Sequence, residues 1–149
     1  MKNEKDEHKE YFERNIFLVI IVAAVGLFLD WLTIHLLKNV NPWGTASAVP
    51  GVVLTLQALW LVVNPYAIVY DDRFEIKQSL FSNQHYYFLD AKAVVYKKNS
   101  KSLTLVYNDD ETETLPMFGI KASHRDLLQK KLQEKINISL IGRQEIILN

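Results

Sequence analysis
The stretch 16–37 limits what this chain can fold into more than any other feature. Its first fourteen residues, IFLVIIVAAVGLFL, carry neither a charge nor a strongly polar group. The run then passes one carboxylate, Asp30, and continues as WLTIHLL to Leu37, giving 22 residues or roughly 33 Å of helix. A core helix of a 149-residue soluble protein needs a polar face over that length, and none precedes Asp30. Residues 46–63 add 18 positions free of charge, roughly 27 Å, enough to cross back. The pair is expected to form a transmembrane helical hairpin, 16–37 and 46–63, with its outer turn at 39–41.

A cleaved signal peptide is the alternative for the first run, and Ala46-Ser47-Ala48 has the small side chains of a cleavage site. That tripeptide lies far beyond Leu29, whereas such sites closely follow the apolar region. The segment ahead of the run also holds five acidic residues, and a second apolar segment follows. An uncleaved anchor is the better reading.

Residues 1–15 mix Lys2, Lys5, Lys9 and Arg14 with five acids, and read as a solvated, frayed helical lead-in. Tyr11 and Phe12 fit an interfacial aromatic belt, as do Trp43 and Trp60 near opposite ends of the second helix. The two helices carry matching faces of small residues, Ala23, Gly26, Asp30 and Thr33 on one and Ser47, Gly51, Thr55 and Ala58 on the other. Small residues allow close backbone approach where lipid supplies no hydrophobic drive. Folding the hairpin about Asn41 sets Asp30 level with the stretch from Gly51 to Thr55, so Asp30 should hydrogen-bond across the pair, with Thr55 as a candidate partner, or reach the outer headgroup zone. The competing role is a proton or cation site, which the absence of a companion acid or base disfavours. Gln57 lies off the small face and would mark contact with another subunit. Pro50 and Gly51 fit the first turn of the second helix, where a missing amide costs little.

From Tyr66 the period changes. Segments 66–70, 74–80, 85–90, 91–96, 102–108 and 111–118 alternate and are separated by Asp71-Asp72-Arg73, Ser82-Asn83-Gln84, 98–101 and Asn108-Asp109-Asp110. This spacing predicts an antiparallel meander that curls into a sheet or barrel. Ser123 with Asp126 resembles a capping box opening a helix to about Ile136, whose stripe Leu128, Leu132 and Ile136, with Leu127 beside it, suits plugging one end. Residues 137–149 fit a helix extension or a late strand.

The hairpin ending in Asn64-Pro65-Tyr66, followed by VYDDRFEIKQSLFSNQ and FLDAKAVVY, resembles the bacterial pleckstrin-homology-like (PH-like) domain proteins. The matching positions are Asp71, Asp72, Phe74, Ile76, Leu89, Asp90, Lys92 and Val94, and the likeness spans 45–136. It implies a bent antiparallel sheet or barrel closed by the C-terminal helix. Two departures matter: the first domain hairpin is acidic where lipid-binding relatives are basic, and the closing helix lacks their Trp. Phosphoinositide binding is therefore not carried over. Six strands against the usual seven imply an open edge or a strand borrowed from the tail.

No catalytic constellation is visible. His8, His35, His85 and His124 are dispersed, the five glycines are isolated, and the Asp pairs sit in turns, where Asp is a routine former. Cysteine is absent, which excludes disulfides and thiolate chemistry, and the zero formal charge gives no excess for nucleic acid. Two basic clusters, Lys97, Lys98 and Lys101 on a turn and Lys121, Arg125, Lys130, Lys131 and Lys135 on the helix, face either anionic lipid headgroups or plain solvent.

The expectation is an α+β membrane protein: a cytoplasmic segment 1–15, the hairpin 16–63 and a cytoplasmic PH-like domain 64–149. It would be non-enzymatic, multi-pass in the bacterial inner membrane, without cofactor, metal, nucleic acid or small-molecule substrate. The domain would dock a protein partner or a second copy. The alternatives are an anionic-lipid sensor and, third, ion or proton coupling through Asp30.

Orientation follows from Lys and Arg: residues 2, 5, 9, 14, 73, 77 and 92 flank the inner side against Lys38 alone in the loop. Both termini are expected in the cytoplasm. A reporter active only in the periplasm should stay silent after Asn149 and be active at Asn41. Activity at the C-terminus but not at the N-terminus would refute the hairpin; activity at both ends would reverse its orientation.

Overall fold
The computed structural model describes residues 8–96 and 101–147, the last five by backbone alone. Two apolar helices, α1 (Ile16–Lys38) and α2 (Trp43–Val63), are inserted between the first strand, β1 (Glu10–Phe12), and the second, β2 (Ala67–Val69). Then come β3 (Arg73–Ser79), β4 (Ser82–Tyr87), β5 (Ala91–Tyr96), β6 (Ser102–Tyr107), β7 (Thr112–Pro116) and the C-terminal helix α3 (Ala122–Ile147).

The Asn15 side chain accepts from the Phe17 amide and caps α1, while the Asn39 amide returns to the Leu36 and Leu37 carbonyls to end it. Val40 reverses the chain in the left-handed region at φ 54°. The Asn41 side chain accepts from the Trp43 amide at 3.0 Å, and Pro42 fixes φ, so α2 begins three residues before the expected Ala46. Pro50 therefore lies inside the helix rather than in its first turn, and leaves the Ala46 carbonyl without its usual helical donor.

The helices meet along a seven-residue repeat: Val19, Gly26 and Thr33 are buried on α1, and Gly44, Gly51 and Ala58 on α2. That period is the seam of a left-handed helix pair. A Cβ on Gly26 would stand 2.9 Å from the Thr55 backbone nitrogen, so only hydrogen fits there. The remaining faces leave large apolar side chains exposed, among them Phe17, Ile21, Leu27, Phe28 and Trp31. Both helices are long and apolar enough to cross a membrane.

The strands form two antiparallel sheets, ordered β1-β2-β3-β4 and β5-β6-β7. Of the two expected forms, sheet or barrel, they take the sheet form: no closed barrel is present among the described residues. Only an isolated bridge, Arg14 to Ile120, links the segments after β1 and β7. Phe12, Phe74, Phe88, Ile76, Leu103 and Leu105 fill the space between the sheets, with the Phe74 ring stacked 4.8 Å from Tyr86 and 5.7 Å from Phe88. α3 closes it with Leu128, Leu132 and Ile136, each at most 1% exposed.

Four local expectations are corrected. The segment before α1 is not a frayed helix: β1 pairs Glu10 with Val69 and Phe12 with Ala67, supplying a seventh strand from the N-terminal side. Ser82-Asn83-Gln84 is strand, and the β3–β4 turn is Leu80-Phe81, because Ser79 pairs directly with Ser82. α3 starts one residue before Ser123, which puts Ser123 inside the first turn rather than at a cap, and Leu127 is 56% exposed rather than part of the plug. Of the undecided tail, 137–147 continues the helix, and Leu140 packs partly against the core.

Because Phe12 is only 2% exposed, Phe12→Ala should cost about 3–5 kcal/mol and lower the melting temperature in detergent. An unchanged melt would mean that the segment before α1 stands outside the core.

Candidate functional site: the junction of the helices and the sheets
The end of the sheet domain next to the helices is fixed by polar groups whose partners come from several elements. Arg14 is the centre. Its Nε donates to the Asn64 carbonyl at 3.2 Å, and its Nη2 donates to the carbonyls of Pro65, at 3.1 Å, and Lys77. The guanidinium also lies 5.3 Å from the Trp60 ring centre and 5.7 Å from that of Tyr66. Burial pulls its pKa below the ordinary arginine value, opposed in part by Tyr66. The Tyr66 hydroxyl donates to the Pro116 carbonyl and is pushed up to about 12, burial outweighing the pull of Arg14.

Between this clamp and the helix ends lies a cavity of about 900 Å³. Phe17, Val19, Leu61 and Val62 give it apolar walls, and Arg14 and Lys121 stand at its polar end. Lys121 is already paired with Glu13 at 2.5 Å.

Within the helix pair the hydrogen bond expected of Asp30 forms, and a second link between hydroxyls joins it. Thr55 donates to Asp30 Oδ2 at 2.7 Å, Gly51 packs against the same carboxylate, and the Thr33 and Ser47 hydroxyls are 2.8 Å apart. Ala23 is partly covered and Ala58 is buried on the same seam. Gln57 has a partner within the chain: its Oε1 accepts from the Leu80 amide at 2.8 Å, tying α2 to the β3–β4 turn.

The helix lysines are spread along α3 as staples rather than gathered into one patch. Lys131 pairs with Glu10 at 2.7 Å and Lys135 with Asp71 at 2.7 Å, so with Lys121 they tie α3 to β1, to its exit and to the β2–β3 turn. Lys101 and Lys130 are exposed, Arg125 is partly buried, and Lys97 and Lys98 lie outside the described residues. Between the sheets, Tyr86 and Tyr107 donate to the two oxygens of Glu113 at 2.8 and 2.7 Å; burial and the carboxylate raise both tyrosines. Among the described residues no group of three or more His, Asp or Glu could hold a metal ion.

Sequence reasoning counted Arg14 only as a charge and missed its clamp. The available signal was an arginine set between aromatic residues and the start of the apolar run, with Trp60 at the matching end of the return helix.

Glu13 and Asp71 are both held below their ordinary values of 4.5 and 3.8, first by the hydrogen bonds and then by the charges of Lys121 and Lys135. Groups with depressed folded pKa values add stability above their unfolded values and lose it as pH falls through the folded ones. Melting temperature should therefore be flat above about pH 5 and drop below about pH 4, and the gap between wild type and Glu13→Gln/Asp71→Asn should narrow there. A gap as wide in acid as near pH 7 would remove the staples from the account. No family model, curated protein or solved structure matches the chain.

Proposed function
We propose that this is a non-enzymatic membrane protein whose helical hairpin crosses the bilayer and holds a PH-like domain at the cytoplasmic surface as a docking module. Several features support the membrane placement. The helices bury little beyond their mutual seam, and their outer faces present Phe, Trp, Leu, Ile and Val to the surroundings. A cleaved first helix would carry away β1 and the core side chain Phe12. Pairing of β1 with β2 also requires both flanks of the hairpin to lie on one side, as two crossings do. The distribution of Lys and Arg, at residues 2, 5, 9, 14, 73, 77 and 92 on the flanks against Lys38 alone in the loop, favours the cytoplasmic side. Seven strands in two antiparallel sheets and a closing helix support the PH-like reading.

Docking rests on α3. The helix is about 39 Å long, whereas its buried stripe ends at Ile136 apart from partial cover of Leu140. On the opposite face Leu127, Ile138 and Ile141 are 56%, 58% and 59% exposed, at spacings of eleven and three that keep them aligned. Ile138 and Ile141 lie beyond Lys135 and its partner Asp71, at the end of the domain away from the hairpin. An apolar stripe on a projecting helix is the surface that accepts a partner helix in a groove-type or coiled pairing.

A second reading is favoured by the Arg14 cavity: its apolar walls with the Arg14 guanidinium beside them, the charge of Lys121 being met by Glu13, fit an anionic amphiphile such as an acidic phospholipid. The Asp30–Thr55 bond leaves ion coupling the weakest of the three, since it gives the carboxylate a purely local partner.

The chain has no cysteine, so Ile141→Cys can carry a single photoreactive thiol probe in native membranes. A discrete cross-linked product is expected, absent when the probe stands at Asp126; twice the chain mass would make the partner a second copy. Only uncross-linked chain at both positions would remove the docking reading, and stoichiometric acidic phospholipid lost on Arg14→Gln would favour the second.

A further inference from the structure
The two ends of the sheet domain differ in chemistry. At the end away from the helices, the turns carry Asp71 and Asp72, Leu89 and Asp90, and Asp109 and Asp110; these turns are joined by hydrogen bonds from Phe88 to Asp72 and from Asn108 to Asp90. Acids at every one of these turns suit an aqueous, cytoplasmic face. The end beside the helices is different. There the β3–β4 turn is Leu80-Phe81, with Phe81 80% exposed, and Phe118 is 52% exposed on the segment that bonds Asn15.

The position of that turn is set by Gln57. This residue lies six positions before the end of α2, so the Leu80 amide is bound about 9 Å back along a helix without charged side chains. A hairpin turn in water needs no such help, since solvent satisfies its amides. Here both turn amides have protein acceptors: Leu80 donates to Gln57 Oε1 at 2.8 Å and Phe81 to Ser79 Oγ at 3.3 Å. Backbone donors closed off in this way are what an apolar environment demands. The arrangement also accounts for a lone amide side chain in the middle of an apolar helix.

We infer that the β3–β4 turn is a membrane wedge: Leu80 and Phe81 enter the cytoplasmic leaflet beside α2, to the depth of the headgroup–acyl boundary, and seat the sheet domain on the lipid surface. The inference rests on the hairpin crossing the bilayer. The set-back of about 9 Å along α2 is of the size over which amphipathic elements bury their apolar side chains. Phe118 lies on the same side as a second contact, while the acidic turns keep the far end away from anionic headgroups.

The test uses the full-length chain in vesicles of phosphatidylcholine with acidic phospholipid, with an environment-sensitive thiol dye placed in turn at Phe81→Cys, Leu27→Cys and Asp109→Cys. The inference expects a blue-shifted emission at 81, quenched by lipids spin-labelled near the headgroup and protected from aqueous iodide. Leu27 should report the deep bilayer and Asp109 water. A probe at 81 that behaves as at 109, while 27 remains in lipid, would overturn the wedge and leave the hairpin intact. Water exposure at 27 as well would overturn the hairpin and the wedge together. Gln57→Leu provides the second variant: losing the acceptor for Leu80 should shift the 81 probe toward water without moving the probe at 27. Unchanged emission at 81 in that variant would overturn the role assigned to Gln57 in setting the depth.

Discussion
The antiparallel pairing of β1 with β2 is the constraint on which the rest of the molecule depends. These short strands flank the helical hairpin in sequence, and their pairing fixes both hairpin ends to one sheet. The Tyr66 amide donates to the Phe12 carbonyl at 2.9 Å immediately beside the helices, and Arg14 binds the carbonyls of Asn64 and Pro65 across the same gap. Loop closure that would otherwise span some fifty residues is shortened by the hairpin's own contacts, so a three-residue strand suffices. Without that pairing, the segment before α1 would keep only its links to Ile120, Lys121 and α3, and Arg14 would no longer be held beside the end of α2.

The polar groups in and beside the hairpin follow one rule: each finds a partner that also positions an element. Thr55 with Asp30 and Thr33 with Ser47 set the register of α1 on α2, Gln57 sets the β3–β4 turn, and Arg14 sets the exit from α2. The glycines at 26 and 51 permit the close approach that brings these groups within reach. On the sheet domain the same economy appears as ion pairs running along α3, each between residues distant in sequence. Their worth in stability is small at the surface, yet they help fix which side of α3 faces the core and therefore which side is left exposed.

Much of this was legible from residue order alone. The apolar run from Ile16 has one economical solution, a helix, and its limits were readable to within a residue because Asn15 and Asn39 stand at its ends. Alternation and Asp-rich turns located six strands, with 91–96 matched at both ends. The Asp30–Thr55 bond was readable too, since folding a hairpin about a known turn pairs positions by simple counting. The apolar stripe at 128, 132 and 136 follows from helical period in the same way.

Tertiary structure alone decided β1, the true β3–β4 turn and the partners of Arg14 and Gln57. Glu10-Tyr11-Phe12 has too few residues for a period and sits among charges, so its conformation comes from the strand it meets 55 residues later. Leu80-Phe81 lacks turn chemistry, and Ser82-Asn83-Gln84 has it; the pairing of Ser79 with Ser82 and the bond to Gln57 override that local preference. The division has a physical basis. Burial period and caps act within a few residues and are written in sequence order, whereas a short strand or a lone polar side chain takes its role from whatever the fold brings beside it.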